Sequence, residues 1–150
     1  MPATPAIPAI TNPPANPVPA APARWRGRLL TGLSWVLAVE FVVGGLIKLT
    51  APSMGERFVD WGYPSWFRLV VGAGELVGGA LLLSPRRRFL GAALLVVILV
   101  GATLTHVVNG DPLSESVSAP LHLVLAAMVA WASRPGRYGS PSTPGSISTP

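Results

Sequence analysis

The sequence predicts an all-α membrane protein, an antiparallel four-helix transmembrane bundle with both termini cytoplasmic and Pro-rich disordered tails. Three observations carry this expectation. Half of the 150 residues are hydrophobic and 11% are charged, against roughly 25% charged in soluble domains. The apolar residues gather in runs of about 18 to 21, the length that crosses the hydrocarbon of a bilayer. The arginines fall in small groups on alternate sides of those runs, which sets an orientation.

Residues 1–24 are a tail of Pro, Ala, Thr, Asn, Ile and Val that stays uncharged as far as Ala23. Proline recurs too often for a helix and the apolar mass is too small for a core, so the tail reads as disordered and partly polyproline II. Arg24-Trp25-Arg26-Gly27-Arg28 then leads into the first apolar run, at about residues 29–49. It resembles the start of a secretory signal. The run is too long for one, contains Glu40 and ends in Lys48-Leu49-Thr50-Ala51-Pro52 rather than a cleavage site, so it is expected to remain as the first span.

Ser53 to Ser65 reads as a loop whose aromatics, Phe58, Trp61 and Tyr63, lie with Trp66 and Phe67 at the headgroup level. The second span, about 66–83, carries Glu75 near its middle and Gly74 and Gly78 four apart, a smooth face for helix packing. After the basic turn Ser84-Pro85-Arg86-Arg87-Arg88, the third span, about 89–108, has no formal charge and holds Thr103 and His106 on one face. An acidic loop follows. The fourth span, about 116–133, has a short apolar core from Leu121 to Ala132 and reaches spanning length only with Pro120 in its first turn and His122 in its outer half. Residues 135–150 read as a second disordered tail. The membrane domain is thus 25–134.

The net charge of +5 does not point to nucleic acid, because the arginines flank apolar runs. The absence of Cys excludes disulfides, thiolate metal sites and any thiol couple. No metal site and no intrinsic cofactor are expected. An intramembrane carboxylate is costly, by roughly 2.5 to 3.5 kcal/mol on insertion scales, and is by default a functional candidate. Residue counting puts Glu40 and Glu75 at nearly the same mid-membrane depth, where two facing carboxylates could not both ionise. Lys48, His106 and His122 fall in the outer half. With Thr103, Glu40 and Glu75 they form the expected ligand site, a polar pocket open to the outside that descends to the two carboxylates and stops on an aliphatic floor. No catalytic residue is assigned.

Gly45-Leu46-Ile47-Lys48-Leu49, Gly62-Tyr63-Pro64, Gly72-Ala73-Gly74-Glu75-Leu76, Leu83-Ser84-Pro85-Arg86 and Gly101-Ala102-Thr103-Leu104-Thr105-His106, in this order and spacing, resemble the DoxX-like family of small four-helix bacterial membrane proteins. The resemblance implies a multi-pass protein of the bacterial inner membrane. The family takes its name from subunits of a thiosulfate:quinone oxidoreductase, so it also implies a quinone-binding or accessory subunit of a membrane redox complex, at most a non-catalytic part of an oxidoreductase. A redox role must use a bound quinone or a partner's cofactor. The expected partners are the bilayer, membrane or peripheral redox proteins and further copies of the chain. The residues leave other readings open: a non-enzymatic scaffold recruiting proteins through Gly74, Gly78 and the Pro-rich tail, a b-haem held by His106 and His122, and a small transporter.

Overall fold

The computed structural model describes residues 21–135, and every regular element among them is helical. Of the tails expected at 1–24 and 135–150, residues 1–20 and 136–150 lie outside the described residues, whereas 21–24 are not disordered but open the first helix. The helices are α1 (Ala21–Thr50), α2 (Pro52–Asp60), α3 (Phe67–Leu82), α4 (Arg88–Asn109), α5 (Leu113–Ser116) and α6 (Ser118–Ala132). Trp25–Thr50, Arg88–Asn109 and Leu113–Ala132 are each long and apolar enough to cross a membrane. α3 has 16 residues, about 24 Å, and is shorter than a typical hydrocarbon core.

α1 starts at Ala21, ahead of the apolar run that opens at Leu29. Nothing in the intervening Arg-Trp-Arg-Gly-Arg segment forbids helix, and a span's helix need not stop where the lipid does. α2 departs from the loop expected at 53–65. Pro52 occupies its first turn, where the missing N–H is no loss, and Gly55 and Phe58, one turn apart, form its buried face. Phe58 is the hub of the aromatics, with ring centroids 5.6 Å from Trp61 and 6.2 Å from Tyr63 and Phe67. A nine-residue helix leaves little periodic signal, and Pro52 reads as a break unless it falls at the start.

The main helix contacts run α1 to α3, α3 to α4 and α4 to α6, with a thinner seam between α6 and α1. Small residues set the spacing. A Cβ on Gly45 would come 2.6 Å from the carbonyl oxygen of Gly72, and one on Gly79 would come 3.0 Å from that of Ala38. Residue numbers therefore fall along α1 as they rise along α3. Gly74 and Gly78 receive Ile98 and Leu95 of α4, each 2.8 Å from where a Cβ would stand. The expected packing face is thus engaged by a helix of the same chain.

Leu37, Ala38, Phe41, Leu82, Ala92, Leu95, Leu99, Ala126 and Val129 form one buried cluster drawn from α1, α3, α4 and α6. It occupies the half nearer the Arg86-Arg87-Arg88 turn. The polar pairs gather toward the other end, around α2, α5 and the turn after α4.

Candidate functional site

Five of the six polar residues singled out in the sequence fall in three separate pairs, one of them completed by Asp111, and Thr103 is in none. Lys48 Nζ donates to Glu75 Oε2 at 2.8 Å between α1 and α3, with the Glu75 side chain only 8% exposed. His122 and Glu40 meet at 2.9 Å between α6 and α1. His106 Nδ1 lies 2.6 Å from Asp111 Oδ2. Glu40 and Glu75 therefore each have a partner of their own. The Glu75 carboxylate reaches Lys48 and passes beside Gly44, 3.6 Å from the position of a Cβ there, about a turn outward of Glu40. Counting residues from span ends put the two at nearly the same depth, whereas the packing sets Glu75 level with Gly45, and counting could not say which way each helix is rotated about its axis.

Arg68 donates a further hydrogen bond to the Lys48 carbonyl, so a second cation caps the end of α1 beside the first pair. The last turn of that helix has carbonyls without intrahelical partners, and the guanidinium meets one of them.

The His106 site is built by the turn that ends α4. Gly110 adopts φ +67°, a left-handed conformation that only glycine enters without cost. Its N–H bonds to the Val107 carbonyl and that of Asp111 to the His106 carbonyl, the paired closure that glycine makes at a helix C-terminus. The chain folds back and sets the Asp111 carboxylate over the imidazole. Trp61 Nε1 donates to the same carboxylate oxygen at 3.0 Å, and the indole stands edge-on to His106 with centroids 5.2 Å apart. Below it, Tyr63 and Thr105 exchange a hydroxyl hydrogen bond of 2.9 Å, and Thr105 also donates to the Gly101 carbonyl. The Thr103 hydroxyl, by contrast, is buried and has no partner.

These contacts fix the roles of the ring atoms. An ionised Asp111 only accepts, so Nδ1 carries a hydrogen, and in the neutral ring Nε2 is then the nitrogen with the lone pair. Among the described residues Nε2 makes no hydrogen bond. Trp61 and Asp111 also line an open cleft of about 490 Å³ with Ser53, Glu56, Asp60 and Glu115, while Arg57 pairs with Glu115 at its rim and lies 5.2 Å from the centre of the Trp61 ring. The volume suits a small ligand. No cluster of three or more His, Cys, Asp or Glu with the geometry of a metal site occurs among the described residues.

Asp111, Trp61, Tyr63 and Thr105 are absent from the candidate set read from the sequence. Asn109-Gly110 was the available signal for Asp111, since a glycine just past a helix end turns the chain back over its last turn. Nothing in the sequence tied Tyr63 to Thr105.

A small all-helical membrane protein with apolar spans, an aliphatic core and ionisable pairs between its helices is the class this architecture defines. The model of the DoxX-like family matches residues 32–132, and the chain belongs to that family. Comparison with curated proteins finds no match, and comparison with solved structures finds none.

Proposed function

We propose that this DoxX-like chain is an antiparallel four-helix bundle of the bacterial inner membrane whose outer end binds the polar head of a lipid-soluble quinone or quinol, as a subunit of a membrane redox complex. Opposed residue numbers where α1 meets α3 support the antiparallel arrangement. α3 lies along the apolar half of α1, so a membrane that holds α1 also holds α3 despite its length. The arginines at 24, 26 and 28, in the 86–88 turn and at 134 and 137 support an orientation with both termini cytoplasmic and the Trp61–His106–Asp111 group outside.

The observation that carries the reading is unspent hydrogen-bonding capacity on one face of α4. His106 Nε2 offers a lone pair, and the buried Thr103 hydroxyl, three residues earlier, lacks any partner. A buried hydroxyl left unmatched costs about 1 to 3 kcal/mol, which a ligand atom would relieve. A quinol supplies both complements, a hydroxyl that donates to Nε2 and an oxygen that accepts from Thr103. Quinol oxidation releases protons as well as electrons. Nε2 would take one of the two protons, with Asp111 stabilising the imidazolium that forms, and the other would leave to water through the open cleft beside Trp61 and Asp111. The electrons pass to a group on another subunit, because this chain has no thiol couple.

The other readings draw less support. A scaffold using Gly74 and Gly78 would have to displace α4, which already fills that face. A haem between His106 and His122 would have to take a nitrogen of His122 from its partner, since Nδ1 is held by the Ser118 carbonyl and Nε2 by Glu40. A transporter would need a polar path through the aliphatic cluster.

The test is a titration of the purified full chain in mild detergent with a short-chain ubiquinol, followed by tryptophan fluorescence. Trp61 beside His106 provides the signal. Saturable quenching is expected, and His106→Ala should weaken it about 3- to 10-fold, the range of a hydrogen bond between neutral groups. Gly101→Ala, where an added Cβ meets nothing within 4 Å, should leave it unchanged. Equal affinity in His106→Ala, or no saturation in the native chain, would exclude the site.

A further inference from the structure

Glu40 lies near the middle of the longest apolar helix, yet its side chain is 50% exposed, on the outer surface of the bundle rather than in its core. Intramembrane carboxylates ordinarily face the bundle interior or a water-filled cavity. Around it the surface is aliphatic: Val36, Val39 and Val43 on α1 and Leu121 and Val124 on α6 are all exposed. α6 meets α1 only along a thin seam, and His122 reaches across it to the carboxylate.

The hydrogen bonds determine what this pair still offers. His122 Nδ1 is 2.6 Å from the Ser118 carbonyl oxygen. A carbonyl can only accept, so Nδ1 is the donor. One more proton lies between His122 Nε2 and Glu40 Oε2, at 2.9 Å. If it rests on nitrogen, the pair is imidazolium and carboxylate. If it rests on oxygen, the pair is imidazole and carboxylic acid with Oε1 as its carbonyl oxygen. In both states the two ring nitrogens are engaged and Oε1 remains an acceptor, which makes no hydrogen bond among the described residues. Phe41 stands edge-on to the imidazole, with centroids 5.6 Å apart, and closes the bundle side. The open acceptor therefore faces the lipid.

We propose that the Glu40–His122 pair is a second binding site, separate from the His106 group, that takes a lipid-soluble alcohol or phenol from within the bilayer. The hydroxyl donates to Glu40 Oε1, and the apolar body lies against the valines of α1 and the leucine and valine of α6. A ligand that can only accept, such as an ether or ester, finds no donor there. A second copy of this chain is a poor occupant, because it would bring an identical pair whose ring hydrogens are already committed. The site depends on α1 spanning the membrane and not on quinol binding at the outer end, so either proposal can fail without the other.

The test is photolabelling of the full chain in phosphatidylcholine vesicles with a diazirine-bearing long-chain alkanol and, in parallel, its methyl ether, the labelled residues being located by peptide mass spectrometry. The alcohol is expected to label α1 near Glu40 and α6 near His122 several-fold more than the ether does. Glu40→Leu should abolish that preference, and Glu40→Gln, which keeps an acceptor oxygen, should retain it. The alcohol-to-ether ratio in the native chain is decisive even if a variant fails to fold. Equal labelling would overturn the proposal and mean that water or bulk lipid meets the oxygen. Protection of both helices from both probes in a chain that sediments as a dimer would also overturn it, in favour of a contact between copies.

Discussion

Replacing Gly45 with valine is expected to abolish the close approach of α1 and α3 and to cost about 3 kcal/mol or more, the upper range for overpacking a well-filled interior. The reason is the nature of the obstacle. An added Cβ on Gly45 would meet a carbonyl oxygen at 2.6 Å and a backbone nitrogen at 3.1 Å, and backbone cannot rotate away as a side chain can. The two helices would have to separate, and the register that brings Lys48 to Glu75 would be lost with them. Gly101→Val is the matched control, since the site is exposed and open. Thermal unfolding in detergent measures the difference, and a Gly45→Val chain as stable as the Gly101→Val chain would contradict the packing described.

The second large effect is expected at the Lys48–Glu75 pair. Lys48→Met leaves a carboxylate with an 8% exposed side chain without its cation and should destabilise the chain by about 3 to 5 kcal/mol, the usual consequence of breaking a buried ion pair from one side. Removing both charges is different. Lys48→Met combined with Glu75→Leu eliminates the desolvation cost together with the attraction and should recover most of the loss. Unfolding of the native chain, both single variants and the double variant closes the cycle. Additive single effects would show that the two groups do not depend on each other.

The membrane class was legible because it rests on bulk properties, the length and hydropathy of the runs and the placing of arginines, which do not depend on tertiary detail. The family was legible for a related reason, since its motifs are local. What the sequence could not supply is rotation and partner choice. Residue counting put Glu40 and Glu75 at nearly one depth and left open whether they face each other; a carboxylate on α1 and one on α3 can each turn to a different neighbour, and here they turn to His122 and Lys48. The Gly74 and Gly78 face was recognised as a packing surface, but a small-residue spacing does not say which helix will use it. Gly45 and Gly72, whose backbones come closest, stood in the quoted motifs without being assigned that role. α2 was missed because a short helix opening on proline looks like a loop. Asp111 was missed because its contact with His106 depends on a turn rather than on periodicity, although Asn109-Gly110 marked that turn.

The central claim is that the Trp61–His106–Asp111 group opens on the outer side of the membrane, and it is tested most directly by cysteine accessibility. The chain has no native Cys, so single replacements report without background. Ser53→Cys lies on the cleft lined by Trp61 and Asp111, and Ser84→Cys lies in the basic turn between α3 and α4. In intact cells a membrane-impermeant maleimide should label the first and spare the second until the membrane is permeabilised. Labelling of Ser84→Cys in intact cells, with Ser53→Cys protected, would invert the molecule and contradict the account.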